Sequence, residues 1–327
     1  MANVGIIGTG AYVPDRVLTN HDLEQMVETS DEWIIQRTGI RERRILREDE
    51  DPSVMGIVAA REAIERAGIV PGDLDMVIVA TNVPDRIMPG SAPYIRQELE
   101  VGREIPFFDV MAGCSGFIYA LEVARGMIAT GSYRNVLVVG ADAMSRILDW
   151  KDRSTCVLFG DGAGAVVVSP VAGDQGILSS SLHGDSSMAD LIKIEAGGAK
   201  MPITPELARN GFQYVQMEGG GVFKNAVKMM ESSTQEALDQ AGVRLQDLDW
   251  VAPHQANLRI IKSLADRLDV PMEKVLVNID RYANTSAATI PLVLHEAAVD
   301  GRLKPGNLVV LTAFGAGAAY GAMVLRW

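Results

Sequence analysis

Three polar residues, far apart in the chain, have the types that acyl transfer to sulfur requires. Cys114 stands in "MAGCSGF", flanked by glycines and directly after the apolar run "IPFFDV". A free cysteine is commonly a small hydrophobe filling a gap. At the mouth of a helix it is instead a candidate nucleophile, because the partial positive charge there favours thiolate over thiol. The nearby glycines let a substrate carbonyl approach the backbone, where an N–H can serve as an oxyanion donor. His254, in "WVAPHQANLRI", follows an apolar strand, where α/β folds commonly carry catalytic side chains, although a lone histidine there is more often structural. Asn284, in "ANTSAATIPLVL", is by ordinary expectation a helix cap. No single one is decisive; three polar groups at three strand ends of a repeated unit point to chemistry.

The elements that must position them recur. "AIERAGIVPGDLDMV" from Ala63 and "ALDQAGVRLQDLDWV" from Ala237 match at Ala, Gly and Asp-Leu-Asp, 174 residues apart. Each reads as an amphipathic helix stopped by a glycine, then a short turn and an apolar strand. In the first copy Ser53 is the expected N-cap. A second apolar strand follows each, "IPFFDV" and "KVLVNID", and then a turn of small residues into a helix, which sets Cys114 over Asn284. "NVLVVGAD" and "NLVVLTAFG" close the two units as strands. Strands alternating with helices predict a parallel or mixed sheet with helices packed on it. The expected fold class is α/β in two pseudo-symmetric duplicated halves, residues 1–174 with the cysteine and 175–327 with the histidine and asparagine. From about 175 to 215 the chain, with its "EAGGAKMPITP", reads as a loop-rich excursion of a kind that often carries function.

The 327 residues suffice for two domains or a duplicated one. With 48% hydrophobic and 22% charged residues the composition is that of a soluble globular protein. A net charge of −12 provides no positive footprint for nucleic acid. No apolar run approaches the ~20 residues that cross a bilayer. "MANVGIIGTG" has neither the charged start nor the apolar stretch of a signal peptide. Two distant cysteines imply no disulfide framework, and the four histidines lie at no metal-ligand spacing. The expectation is a reduced, cytoplasmic, metal-free protein.

Several long motifs in one order resemble β-ketoacyl-acyl-carrier-protein synthase III, the thiolase-fold condensing enzyme that starts bacterial fatty-acid synthesis. They are "RTGIRERR" (37–44), "GCSGF" (113–117), "LDWKDRSTCVLFGDGAGA" (148–165), "PHQANLRI" (253–260), "NTSAA" (284–288) and "AFGAG" (313–317), spread over essentially the whole chain. The resemblance implies a layered thiolase-like fold with mixed sheets and a homodimer. It implies no permanently bound cofactor, acetyl-CoA or another short acyl-CoA as substrate, and malonyl-acyl-carrier protein as partner. Cys114 would take the acyl group. His254 and Asn284 would donate hydrogen bonds to the malonyl thioester oxygen as CO2 leaves, and the acyl oxyanion would be held by the backbone N–H groups of Cys114 and Ala316. Trp33, Arg37, Thr38 and Arg153 would bind CoA, and Asn257 would line the pantetheine tunnel while also capping the helix "NLRIIKSLADRL". Because carrier protein is acidic, docking needs local positive charge. Lys224 and Arg259 match basic positions of relatives, and Lys262 and Arg267 join them by helical spacing.

The chain departs from the commonest family pattern at Gly113, where Ala is usual, and at Ala283, where Gly is usual. Met88 falls where many relatives carry Phe at the end of the acyl pocket; a flexible methionine leaves branched or longer primers open. "GIIGTGAYVP" lacks the third glycine of a dinucleotide fingerprint, and Pro14 interrupts any helix after it. Cys156 reads as a buried strand residue, and "FGDGAGA" as a strand and turn requirement. Rival readings are an acyltransferase of specialised metabolism with another acceptor, a cysteine hydrolase, whose Cys…His…Asn order this chain shares but whose local signature it lacks, and a non-catalytic acyl-CoA scaffold.

Overall fold

A computed structural model describes residues 3–327. Nine strands form the two main sheets: β1 (Asn3–Tyr12), β2 (Met76–Ala80), β3 (Phe107–Val110), β4 (Val136–Ala143), β5 (Asp161–Val171), β6 (Gly176–Gly184), β7 (Trp250–Pro253), β8 (Leu308–Gly315) and β9 (Ala319–Arg326). Seven helices matter to the site: α1 (Asp31–Thr38), α2 (Pro52–Arg66), α3 (Ala92–Glu98), α4 (Gly116–Ala129), α5 (Gly219–Ala241), α6 (Leu258–Arg267) and α7 (Thr289–Val299). The first sheet runs β1-β5-β4-β2-β3, parallel at β4-β2-β3 and antiparallel at β1-β5-β4. The second runs β7-β8-β9-β6, with β7 and β8 parallel and the rest antiparallel.

Five layers result. Val77, Val79, Leu137 and Val139 face out onto Met55, Ala59, Ala63 of α2 and Ile95 of α3. Their neighbours Ile78, Val136 and Val138 face inward onto Phe117 and Leu121 of α4 and Val293 of α7. The second sheet presents Ala252, Val309 and Leu311 to the same two helices, and Val310, Ala322 and Val324 to α5 and α6 outside. The period of two along each strand therefore serves two cores. α4 and α7 lie between sheets, which is why α7 reads apolar nearly all round. The leading end of α7 drops close onto the first sheet because two strand positions lack a side chain. A Cβ at Gly140 would stand 2.4 Å from the Ala287 carbonyl oxygen, and one at Gly164 2.7 Å from Pro291 Cβ. The close approach of α7 accounts for Gly164 and, through Leu292, for Gly162 of "FGDGAGA", whereas a Cβ at Gly160 would stand 2.6 Å from the Tyr282 carbonyl oxygen.

The repeated Asp-Leu-Asp has one job in both halves. Asp75 donates its N–H to the Asn135 carbonyl and takes the Asn135 N–H on its carboxylate. Asp249 does the same with Leu308. Each clamps the start of the neighbouring parallel strand. The halves then diverge, because "KVLVNID" forms no strand; only an isolated bridge joins Val275 to Val251. A side chain replaces the missing ladder: the Gln255 amide donates to the Leu276 carbonyl (3.1 Å) and accepts from the Asn278 N–H (3.1 Å).

Smaller expectations also change. The N-cap of α2 is Asp51, with Pro52 at the first helical position, where its fixed φ suits a helix start. Ser53 lies inside the helix and donates to Asp85 at 2.7 Å. Cys156 ends a short helical turn, Arg153–Cys156, rather than a strand, and is fully buried. The excursion after 175 begins as β6, then forms a small hairpin, Ile192–Ile194 with Val215–Met217. Among the described residues no helix is long and apolar enough to cross a membrane.

Candidate active site

Cys114, His254 and Asn284 all line one cavity of about 1050 Å³. Cys114 lies between β3 and α4, two residues ahead of the helix. The neighbouring Ser115 hydroxyl donates to the Ala319 carbonyl at 2.7 Å, tying this turn to the second sheet. The turn fits only because two glycines meet: a Cβ at Gly113 would lie 2.4 Å from Ala316 N, and one at Gly315 2.4 Å from Cys114 N. Gly113 also has φ +58, so an alanine there would be strained as well as crowded. The two backbone N–H groups expected to form an oxyanion hole are thus brought to adjoining turns.

The resting thiol is not a ready thiolate. Burial pushes Cys114 up from 9.0 to about 12; the Asp142 carboxylate adds to this and the Ser286 hydroxyl opposes it. A helix N-terminus supplies at most about 2 kcal/mol, or roughly 1.5 pKa units. Desolvation thus opposes the pull of the helix start on the resting thiol.

His254 directly follows β7, and its N–H is bonded to the Thr312 carbonyl at 2.8 Å. Its Nδ1 lies 2.7 Å from Thr289 Oγ1. Burial pushes the imidazole down to about 3, so it is neutral near pH 7, with Nε2 the nitrogen left for a ligand. Asn284 is fixed by its backbone, its N–H on the Leu158 carbonyl and its own carbonyl taking the Gly160 N–H. Its Oδ1 accepts the Ser286 N–H at 2.8 Å, which leaves the amide NH2 as the donor available to the cavity. Asn284 does not orient His254, as the asparagine of a papain-like hydrolase would; Thr289 makes that contact. The turn is strained at both shoulders, with Ala283 at φ +58, ψ −156 and Ser286 at φ +54. Such positions cost about 1–3 kcal/mol each and persist where surrounding structure enforces them.

At the mouth, Arg153 stacks 4.9 Å from the Trp33 ring centroid and Arg37 lies 6.0 Å away. Admitting a flat ring between two such groups needs about 7 Å, twice the van der Waals contact distance. The Trp33–Arg153 pair is therefore closed, with Arg153 bonded to the Glu28 carbonyl at 2.7 Å. Thr38 lines the cavity, but its hydroxyl is committed to α1, donating to the Ile34 carbonyl and accepting from the Ile40 N–H. Asn257 both lines the cavity and caps α6, its Oδ1 accepting the Arg259 N–H at 2.8 Å.

Met88 does not join this chain's own cavity. Its side chain is 85% exposed, and Ile87 lines the cavity instead. Of the basic candidates, Arg267 is paired with Glu231 at 2.6 Å, so its charge is spent locally. Lys224, Arg259 and Lys262 are exposed; Arg259 lies over the Phe223 ring at 5.6 Å. A second hollow of about 350 Å³ is lined by Arg41, Arg259 and Lys262. Sequence reasoning did not single out Arg41, nor Lys228, which is exposed one turn beyond Lys224 on α5. It also passed over Asn82, Asp142, Ser286 and Thr289. The one visible signal was an acid, Asp142, ending the apolar run "NVLVVGAD".

Comparison with known proteins agrees with this geometry. Residues 108–186 match the family profile described as 3-oxoacyl-[acyl-carrier-protein] synthase III, and residues 238–327 match the one for its C-terminal part. A β-ketoacyl-[acyl-carrier-protein] synthase III from Roseiflexus sp. is 50% identical over 100% of this chain and 99% of its own. The crystal structure of 3-oxoacyl-[acyl-carrier-protein] synthase III from Aquifex aeolicus superposes with a TM-score of 0.92 at 46% identity, covering 99% of this chain and all of that one. The priming β-ketosynthase of the R1128 polyketide pathway also reaches a TM-score of 0.92, at 34% identity over 99% and 96% of the two chains. The chain belongs to the β-ketoacyl-acyl-carrier-protein synthase III family: it has the thiolase fold and is an acyltransferase of the condensing-enzyme class.

Proposed function

We propose that this enzyme joins a short acyl-CoA, acetyl-CoA in the first instance, to malonyl-acyl-carrier protein and so initiates fatty-acid synthesis. The observation that carries the reading is the convergence of Cys114, His254 and Asn284 on one cavity with a Trp33–Arg153 stack near its mouth. In the first half-reaction the Cys114 sulfur attacks the thioester carbonyl. The oxyanion sits against the N–H groups of Cys114 and Ala316, and the thiol proton ends on the departing CoA sulfur. In the second, malonyl-carrier protein loses CO2. His254 Nε2–H and the Asn284 amide donate to the thioester oxygen of the resulting enolate. For the neutral imidazole to carry its proton on Nε2, the Thr289 hydroxyl must donate to Nδ1, the shorter of its two contacts (2.7 Å, against 3.1 Å to the Ser286 carbonyl). The enolate carbon attacks the acyl group, expelling the Cys114 thiolate, which takes a proton from solvent.

CoA would rest against Trp33, Arg37, Thr38 and Arg153, the last swinging aside to admit adenine, with Asn257 beside the pantetheine arm. Lys224, Arg259 and Lys262 would receive the acidic carrier protein, Arg267 contributing least. The reading includes a cytoplasmic enzyme in two halves divided at residues 174 and 175. It also includes a homodimer, supported by the unpaired edge strand β3 and the exposed Ile87, Met88, Phe107 and Met111 nearby. In such a dimer the exposed Met88 would be covered by the partner.

Intact mass tests the reading. An acetyl adduct on Cys114 formed from acetyl-CoA and discharged as acetoacetyl-carrier protein is the expected result. An adduct that resists malonyl-carrier protein but yields to another acceptor would move the function toward the priming polyketide synthase it also resembles.

A further inference from the structure

Asp142 is wholly buried at the end of β4 and has no place in the chemistry above. Its Oδ1 accepts from the Thr81 hydroxyl (3.0 Å) and from the backbone N–H groups of Asn82 (2.6 Å) and Val83 (2.9 Å). Its Oδ2 accepts from the Ala287 N–H (3.1 Å) and lies 3.2 Å from Asn82 Nδ2. Backbone N–H groups can only donate, so both carboxylate oxygens are acceptors. Asn82 must therefore turn its NH2, not its carbonyl oxygen, toward Asp142. The same nitrogen lies 2.9 Å from Ser286 Oγ. One amide hydrogen serves the carboxylate and the other serves the serine, which leaves Ser286 an acceptor on that side. Its single hydrogen has two acceptors to choose between, the Asp142 carboxylate and Cys114 Sγ, and the sulfur stands at 3.6 Å, within range of an O–H···S bond. The strained φ of +54 at Ser286 and its N–H bond to Asn284 Oδ1 hold the hydroxyl in that position.

We propose that Ser286 is a further catalytic residue, donating its hydroxyl to the Cys114 sulfur and stabilising the thiolate as it attacks and again as it is expelled, with Asn82 and Asp142 as the positioning residues that aim it. The inference rests on Cys114 being the nucleophile. It differs from the oxyanion hole, because the charge it stabilises is on sulfur rather than on the acyl oxygen. The bond gains strength when the sulfur becomes anionic. Apart from Ser286, the sulfur meets the Asp142 carboxylate, which opposes the thiolate, and its own backbone N–H, which favours it.

Alkylation of Cys114 by iodoacetamide, followed by intact mass between pH 7 and 9.5, reads the thiolate without substrate. Ser286→Ala and Ser286→Gly are compared, since glycine relieves the backbone strain and alanine does not; thermal melting confirms that each is folded. Both should slow alkylation by about tenfold at a fixed pH, the worth of one hydrogen bond to a charged group. Asn82→Ala should slow it by roughly threefold in the parent and not at all in Ser286→Ala, because neighbours acting through one bond are not additive. Alkylation within twofold of the parent in both serine variants would overturn the proposal. An Asn82→Ala effect that persists unchanged in Ser286→Ala would overturn the relay. A parent protein that alkylates at Cys114 but takes no acetyl group from acetyl-CoA would instead refute the functional reading, whatever the serine variants do.

Discussion

Gly315→Ala offers a direct measure of how closely the nucleophile's turn is held. Gly315 has φ −142, a backbone that alanine adopts freely, so the substitution brings no conformational strain. Its effect is steric. The new Cβ would lie 2.4 Å from Cys114 N and 2.9 Å from both Gly113 C and Ser115 N, whereas ordinary contact begins at 3.4 Å. Backbone stands on both sides, so one turn must retreat by about 1 Å. Overpacking of this kind costs about 1–3 kcal/mol of stability. A misplacement of 1 Å at a reacting group costs about a hundredfold in rate. Acyl-enzyme formation from acetyl-CoA, timed by intact mass, should therefore fall about a hundredfold while the protein still melts cooperatively. Gly126→Ala is the control: Gly126 is exposed in α4, and a Cβ there meets nothing within 4 Å. It should gain about 0.5–1 kcal/mol from helix propensity with no change in rate. A Gly315→Ala enzyme that acylates within threefold of the parent would show that the turn yields cheaply, and the steric reasoning would fail.

Ala283→Gly should stabilise the fold by about 1–2 kcal/mol, because ψ −156 at positive φ is nearly glycine's alone; denaturant titration showing a loss would contradict this. Because the resting thiol is pushed up to about 12, its thiolate fraction, and with it iodoacetamide alkylation, should rise tenfold per pH unit up to pH 9.5. A plateau near pH 8 would mean that the helix start and Ser286 outweigh burial. Trp33→Ala should raise KM for acetyl-CoA roughly 3- to 30-fold, the range of a cation–π contact, and leave kcat nearly unchanged. An equal fall in kcat would place Trp33 in the chemistry rather than in binding.

The repeat made much of the architecture legible. The duplicated helix-turn-strand and the apolar runs beside it marked the strands, and Asp75 and Asp249 turn out to perform the same clamp. What the repeat hid is where the halves differ. "KVLVNID" is as apolar as a strand, but whether it pairs depends on Gln255, some twenty residues earlier, occupying its hydrogen bonds. The three polar residues that meet at the cavity each follow or adjoin an apolar run, a local signal. Asp142 stands at the end of the apolar strand β4, which is a local signal, but Asn82 and Ser286 lie in two separate connections where nothing local distinguishes them from ordinary polar residues. Burial is equally invisible in one dimension. The thiol's upward shift, the exposure of Met88 and the pairing of Arg267 with Glu231 follow from what lies across the fold.

The Gln255 amide also decides how many further strands the molecule can accept. It seals β7, while β1 and β6 pass against each other closely enough that Gly5 and Gly176 tolerate no side chain between them. Among the described residues β3 ends the first sheet with no strand paired along its outer edge. In the homodimer proposed above, a symmetric copy added at that edge would close the pair and leave no second β3 edge on offer. The Gln255 cover beside β7 would then confine such pairing to the β3 edge of the other sheet.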